Sequence, residues 1–244
     1  MFLAHKVQEN VRAALRDEPR MHFDLSQVKA SWEEGVLTLE GEVSGLDLKK
    51  LALRQAAGVS GVEGIIDRLR VHPTKAMGDG EICSEVLDEL VGDSAFTGII
   101  VRGSTGPQAF FPRGLLDFWI DVRVDDGVVT LDGEVPSLSH KRLAGILAWW
   151  VAGTRDVVNG LGVMPEEEDS DAEIADAIRI AFDKDPLVDP VGIGVRVQDG
   201  YVTLKNQVGS QLERRAAEAD CWRVTGVNDV RNDLAVAEKL PVAA

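Results

Sequence analysis

From Val36 to Val43 the chain alternates. Val36, Thr38, Glu40 and Glu42 fall on one face of an extended strand, and Leu37, Leu39, Gly41 and Val43 fall on the other, because successive side chains of a strand point to opposite sides. The second set is the expected core face. Ahead of it, Val7, Val11, Ala14 and Leu15 recur at helical spacing, the stripe of an amphipathic helix. Asp17-Glu18-Pro19 ends that helix, since proline cannot continue the hydrogen-bond ladder. Leu25, Val28, Ala30 and Trp32 lead into a first strand, which Glu33-Glu34-Gly35 turns around. Beyond the alternating strand, Ser44 is placed to cap a second helix carrying Leu48, Leu51, Ala52, Gln55, Ala56 and Val59. This helix stops over Gly58 to Gly61. Val62 to Val71 reads as a last strand with Ile66, Leu69 and Val71 buried.

The same pattern occurs three times. Gly35-Val36-Leu37-Thr38-Leu39 returns as Gly127-Val128-Val129-Thr130-Leu131 and as Gly200-Tyr201-Val202-Thr203-Leu204, at offsets of 92 and 73 residues. The offsets hold without a gap to the end of each copy: Gly61 matches Gly153 and Gly226, and Leu69 matches Leu161 and Leu234. A fixed register of this kind marks a tandem structural unit. In the second copy Ile82, Val86, Leu87 and Leu90 form the first helix, ending near Gly92-Asp93, and Ile120, Val122 and Val124 alternate along a strand. In the third, Ile174, Ala177, Ile178, Ala181 and Phe182 form the helix, Asp185-Pro186 ends it, and Val191, Ile193, Val195 and Val197 alternate. The second copy alone carries an insertion, within 97–117, that is loop-like and aromatic.

The expected fold class is α+β. It comprises three tandem α-β-β-α-β domains at 1–75, 76–164 and 165–238, followed by a tail at 239–244. Each is a three-stranded mixed sheet with two helices on one face, because each helix has a single apolar stripe to bury. The first two strands pair as a hairpin, and the last returns parallel to the second through a right-handed crossover. Gly35, Gly127 and Gly200 fit the tight hairpin, where positive φ suits glycine. Gly61, Gly153 and Gly226 fit a left-handed cap past a helix. Domains this small lie near the lower limit for an independent core, so packing between neighbours is expected to add stability.

Charge narrows the partners. The net charge is −15. Residues 1–75 balance at 11 basic and 11 acidic side chains, whereas 76–164 carry 6 and 13 and 165–244 carry 9 and 17. An acidic surface of this kind repels phosphate backbones, which excludes general nucleic-acid binding, and it works against bulk adhesion to anionic lipid. Cys83 and Cys221 lie at non-equivalent positions outside any C-x-x-C pattern and read as small buried apolar residues. The first residues have no signal-peptide pattern, so a cytoplasmic location is expected, or a periplasmic one if a leader has been removed.

The phrase Asp-Gly-x-Val-Thr-Leu-x-Gly-x-Val, together with a closing Gly-Val-x-x-Val-x-Asn-x-Leu-x-Val, resembles the BON domain. The third copy carries it as Asp199 to Leu204 and Gly226 to Val236, and the second as Asp126 to Val135 and Val158 to Leu161. The first carries it as Gly35 to Val43, with Glu34 before the glycine and Asp67 where the others have asparagine. The resemblance implies a non-enzymatic binding module connected with osmotic and envelope stress and with attachment to phospholipid surfaces. Some members are periplasmic, and a cytosolic one binds potassium. A bacterial protein that associates with a phospholipid membrane surface is therefore the first expectation. A cytosolic protein–protein scaffold or ion sensor is the alternative.

Two groups of residues are candidates for contact. A basic pair recurs in register near the start of the second helix: Lys49-Lys50, Lys141-Arg142 and Arg214-Arg215. Such pairs suit phosphate headgroups, or equally a solvated face with local ion pairs such as Arg214 with Glu218. Trp149 and Trp222 occupy equivalent positions, where the first copy has Ala57, and Trp150 follows Trp149. With Phe110, Phe111, Leu115, Leu116, Phe118 and Trp119 of the insertion, they could meet a membrane or partner, or pack between copies. No catalytic residues, metal ligands or cofactors are expected. His5, His22, His72 and His140 are scattered, no Gly-x-Ser-x-Gly elbow or phosphate loop occurs, and the acidic run 165–171 lacks the spaced ligands of an EF-hand.

Overall fold

The alternating stretches become the central strands of three sheets, each with a hairpin partner on one side and a crossover partner on the other. The computed structural model describes residues 2–21, 27–105 and 118–237. The chain divides into two units, Met1–Lys75 and Ala76–Ala244.

In the first unit, α1 (Phe2–Asp17), β1 (Lys29–Glu33), β2 (Val36–Val43), α2 (Leu46–Ala57) and β3 (Gly64–Val71) follow one another. β1 runs antiparallel to β2, and β3 runs parallel to it. Val7, Val11 and Leu15 of α1 and Leu51, Ala52 and Ala56 of α2 are buried, as are Leu37, Leu39, Val43 and Leu69 of the sheet. The opposite face of the sheet carries Lys29, Glu40 and Arg68 side by side, an opposite-charge row that suits a wet surface. Two expectations change here. The cap of α2 is Gly45 rather than Ser44. Ile66 is 46% exposed, because its register opposite Thr38 puts it on the outer face. Leu25 lies outside the described residues.

The second unit holds two further copies. The first of them comprises α3 (Asp79–Gly92), β4 (Ile100–Thr105), β5 (Trp119–Asp125), β6 (Val128–Val135), α4 (Leu138–Trp150), β7 (Asp156–Asn159) and β8 (Gly162–Val163). The next comprises α5 (Asp171–Lys184), β9 (Ile193–Gln198), β10 (Tyr201–Val208), α6 (Gln211–Arg223), β11 (Asp229–Asn232) and β12 (Ala235–Val236). The hairpins β5–β6 and β9–β10 repeat that of β1–β2. The crossover strand is broken in two in both copies, and both pieces lie parallel to the same central strand. Val191, read from its alternation as part of a strand, instead sits in a 3-10 turn before β9 and is 92% exposed.

An asparagine side chain stands at the break of the crossover strand in both copies. The Asn232 amide oxygen accepts from the Leu234 N–H at 3.2 Å, and its amide nitrogen donates to the Arg214 carbonyl at 2.9 Å. Asn159 does the same with Leu161 and Lys141, at 3.4 and 2.7 Å. The side chain therefore forms a local turn while fastening the strand to the second helix. Asp67 keeps the turn, accepting from the Leu69 N–H at 2.9 Å, but a carboxylate cannot donate to a carbonyl. In the first copy the Lys49 ammonium bridges instead, to Asp67 at 3.0 Å and to the Leu69 carbonyl at 2.9 Å.

Part of the insertion is not a loop. Ile100–Thr105 forms β4, an extra edge strand parallel to β5. It closes over α3 at Gly103, where an added Cβ would stand 2.5 Å from Leu87 Cδ1 and 2.8 Å from Cys83 Sγ. The second glycine series has the expected left-handed backbone at Gly61 and Gly226 but not at Gly153, and none of the three is the helix cap itself. The helices end at Gly58, Val151 and Val224, and Gly61, Gly153 and Gly226 follow later, against the first helix of each copy. A Cβ there would lie 3.1 Å from Val7 Cγ2, 2.9 Å from Ile82 Cγ1 and 2.9 Å from Ile174 Cδ1, respectively.

Gly153 tests this contact without backbone strain, since its φ is not among the positive ones. Gly153→Val is expected to destabilise the second unit by about 1–3 kcal/mol through overpacking, measured by chemical denaturation of the full chain.

Candidate functional site

The second and third copies meet through charged and aromatic side chains, among them Arg142, which the sequence offered as a surface candidate. Arg142, near the start of α4, is 2% exposed. Its Nε donates to the Thr225 carbonyl of the third copy at 3.1 Å, and its Nη2 is paired with Asp169 of the linker. Trp150, at the end of α4, donates its indole N–H to Asp220 Oδ1 on α6 at 3.2 Å. Lys184, at the end of α5, pairs with Asp93 beyond α3 at 2.6 Å. Ile180 of α5 packs against the core of the second copy. The acidic linker adds Glu167, which accepts from the Leu138 N–H at 2.8 Å.

Each of the two first helices in this unit also carries its own anchor. Asp79 accepts from the N–H groups of Asp126 and Gly127 at 3.1 and 2.8 Å, and Asp171 from those of Asp199 and Gly200 at 2.7 and 2.9 Å. A carboxylate taking two turn N–H groups is a strong local tie, and it holds the helix against its hairpin. Both residues stand outside the apolar pattern of their helices. A different signal was present, because Asp79 and Asp171 both stand three residues before the isoleucine that meets the glycine series; the matching residue of the first copy is Ala4.

Asp220 is the least expected group. It is fully buried, accepts from Trp150 and from Arg223 at 2.7 Å, and has its other oxygen, Oδ2, without a hydrogen-bond donor. Burial pushes its acid up to about 7; Arg223 opposes the shift and the neighbouring Asp185 carboxylate adds to it. A shallow cavity lined by Trp150, Asp185, Pro186 and Arg223 lies beside it. In the second sheet, burial also raises Asp121, partly offset by Arg123.

The basic pairs do not form one repeated surface. Lys49 and Arg142 are buried with their charges engaged, and Arg214 is half-buried and donates to the Asn232 carbonyl at 2.9 Å. Lys50 and Lys141 are half-buried, and Arg215 is exposed. Among the aromatics, Trp222 is 3% exposed and Trp149 half-buried. Trp119 is half-buried in β5 between Ile100 and Glu134, and Phe118 precedes it, also half-buried. Phe110, Phe111, Leu115 and Leu116 lie outside the described residues. Both cysteines are buried and unpaired with each other. Among the described residues no group of three or more His, Cys, Asp or Glu side chains is placed to hold a metal, and no helix is long and apolar enough to cross a membrane.

A three-stranded mixed sheet under two helices, repeated with its hairpin and crossover intact, defines a tandem α+β repeat protein. The sequence pattern of the BON domain matches residues 5–73, 113–165 and 170–238, and the chain belongs to that family. The chain is 33% identical over 121 residues to the osmotically-inducible protein Y of Escherichia coli (strain K12). That match covers 47% of this chain and 60% of the relative, so the chain spans about three-fifths of the relative's length. Among solved structures it is similar to the C-terminal domain of CdsD, the structural protein of the type III secretion system of Chlamydia trachomatis. The identity is 13%, over 94% of this chain and 96% of that one, with a TM-score of 0.25.

Asp220 makes the second unit sensitive to pH. Its folded acid lies above its ordinary value of 3.8, so between the two the folded chain keeps a proton that the unfolded chain has lost. Stability from this group is therefore present at low pH and falls as pH rises through the window, by about 1.4 kcal/mol per unit. Asp220→Asn is expected to flatten this slope between about pH 4 and 7, measured by urea denaturation at a series of pH values.

Proposed function

We propose that the chain is a non-enzymatic binding protein of the osmotic stress response, in which the second and third copies act as one body that engages a protein partner. Membership of the BON family and the likeness to an osmotically inducible relative support the physiological setting. One observation supports a protein partner over a bilayer. The cation and aromatic groups best suited to an anionic bilayer, Arg142, Trp150 and Trp222, are engaged or buried within the second unit. Meanwhile, the chain outside them carries a net charge of strongly negative sign. An interface of this kind fixes the relative position of two sheets, which a scaffold needs and a lipid tether does not.

The reading is tested by co-sedimentation with neutral and phosphatidylglycerol vesicles at low and high salt. The chain is expected to stay in the supernatant in every case. Salt-sensitive retention on the anionic vesicles that Lys141→Glu with Arg215→Glu removes would replace the scaffold by the phospholipid reading. Lys141 and Arg215 are chosen because neither is buried.

A further inference from the structure

We propose that the outer face of the third sheet is a docking site for a short acidic segment of a protein partner, which gives the scaffold reading above, on which it rests, a specific surface. The three copies share one sheet geometry, so equivalent outer positions can be compared directly. Across the middle of the sheet the first copy presents Ser31, Thr38 and Ile66, and the second presents Arg123, Thr130 and Val158. The third presents Arg196, Thr203 and Arg231. Two residues further along the central strand, Glu40 of the first copy and Asp132 of the second become Lys205. Three cations therefore surround Thr203 in the copy where acidic residues outnumber basic ones by 17 to 9.

The cations of this face differ from those of the other two sheets in their cross-strand neighbours. In the first sheet Glu40 lies between Lys29 and Arg68; in the second, Arg123 approaches Asp121 and Asp132 at 3.6 and 3.7 Å. In the third, Arg231 is paired with Asp233 at 2.9 Å. Among the described residues Arg196 reaches the Gln198 amide oxygen alone, at 3.4 Å. Among the described residues neither Arg196 nor Lys205 has a carboxylate partner. Arg196 and Lys205 are diagonal neighbours on this face, close enough for one anion to meet both.

An open groove runs over this face, lined by Arg196, Gln198, Asp199, Tyr201, Thr203 and Lys205. Guanidinium groups match carboxylates in two-point geometry, and the Thr203 hydroxyl adds a donor. The extent of the patch selects its occupant. Three strands span roughly 10 Å and two residues of strand about 7 Å, about one Debye length at physiological salt. Asp199 belongs to its lining, Asp229 stands opposite Tyr201, and the third copy as a whole is acidic. A bilayer or nucleic-acid backbone is a continuous polyanion and meets repulsion outside the patch. A segment with two or three carboxylates does not.

Tyr201 is the single tyrosine of the chain and is 51% exposed on this face. Full-length protein labelled with 3-fluorotyrosine thus gives one fluorine resonance at the site. Titration with an oligoglutamate peptide is expected to shift that resonance saturably, less so as salt is raised. Arg196→Gln with Lys205→Gln is expected to weaken the response at least about tenfold, with an unchanged thermal melt. No shift, or an equal shift in the double variant, overturns the proposal. So does a response to phosphatidylglycerol vesicles alone, or an equal response to inorganic phosphate at matched charge. Capture of a purified partner that persists in the double variant retires this face and leaves the scaffold reading standing. Vesicle retention in place of partner capture by the unaltered chain retires both.

Discussion

A three-stranded sheet of this size has one face that its own two helices can cover, and the other face must meet water. Everything else in the molecule follows from that division. On the covered face Leu37, Leu39 and Val43 recur as Val129, Leu131 and Val135 and as Val202, Leu204 and Val208, all buried. These positions hold apolar residues in every copy because each lost methylene there costs transfer free energy and leaves a cavity. The uncovered face is free to differ. It carries a row of alternating charge in the first sheet, a carboxylate sunk beside an arginine in the second, and a group of cations in the third.

A small repeat also has to fix its helices onto its sheet with few apolar contacts, and this one uses polar ties. The asparagines at 159 and 232 hold the crossover strand to the second helix, with Asp67 and Lys49 as the ionic substitute. Asp79 and Asp171 hold the first helix to the hairpin. These ties are short-range and repeat with the fold. The contacts between the second and third copies do not repeat. They depend on single residues, Arg142, Trp150, Lys184 and Asp220, whose partners come from the neighbouring copy. Burial pushes the acid of the Asp220 carboxyl at this interface up to about 7, because removal from water disfavours its ionised form.

The basic pairs show why surface chemistry is harder to read than fold. In sequence, Lys49-Lys50, Lys141-Arg142 and Arg214-Arg215 are equivalent, and equivalence invites one shared role. In the folded chain the first member turns toward the crossover strand in the first and third copies, at Lys49 and Arg214. The second member meets the next copy in the middle one, at Arg142. Long side chains at the same register reach different partners because those partners, Asp67, Asn232 and Asp169, differ.

What the sequence by itself determined was the repeat, the order of elements, the covered face of each central strand and the family. All of these are written in short-range patterns: alternation along a strand, a helical stripe, a glycine at positive φ in each hairpin. What only the tertiary structure decided was which polar residues remain on the surface. It turned Ile100–Thr105 into an edge strand, took Arg142 and Trp222 out of solvent, and buried Asp220. The same structure set Arg196, Thr203 and Arg231 in one row, although they come from three separate strands. The physical reason is that burial and charge pairing depend on distance in space, and residues far apart along the chain become neighbours only when the sheets close and two copies meet.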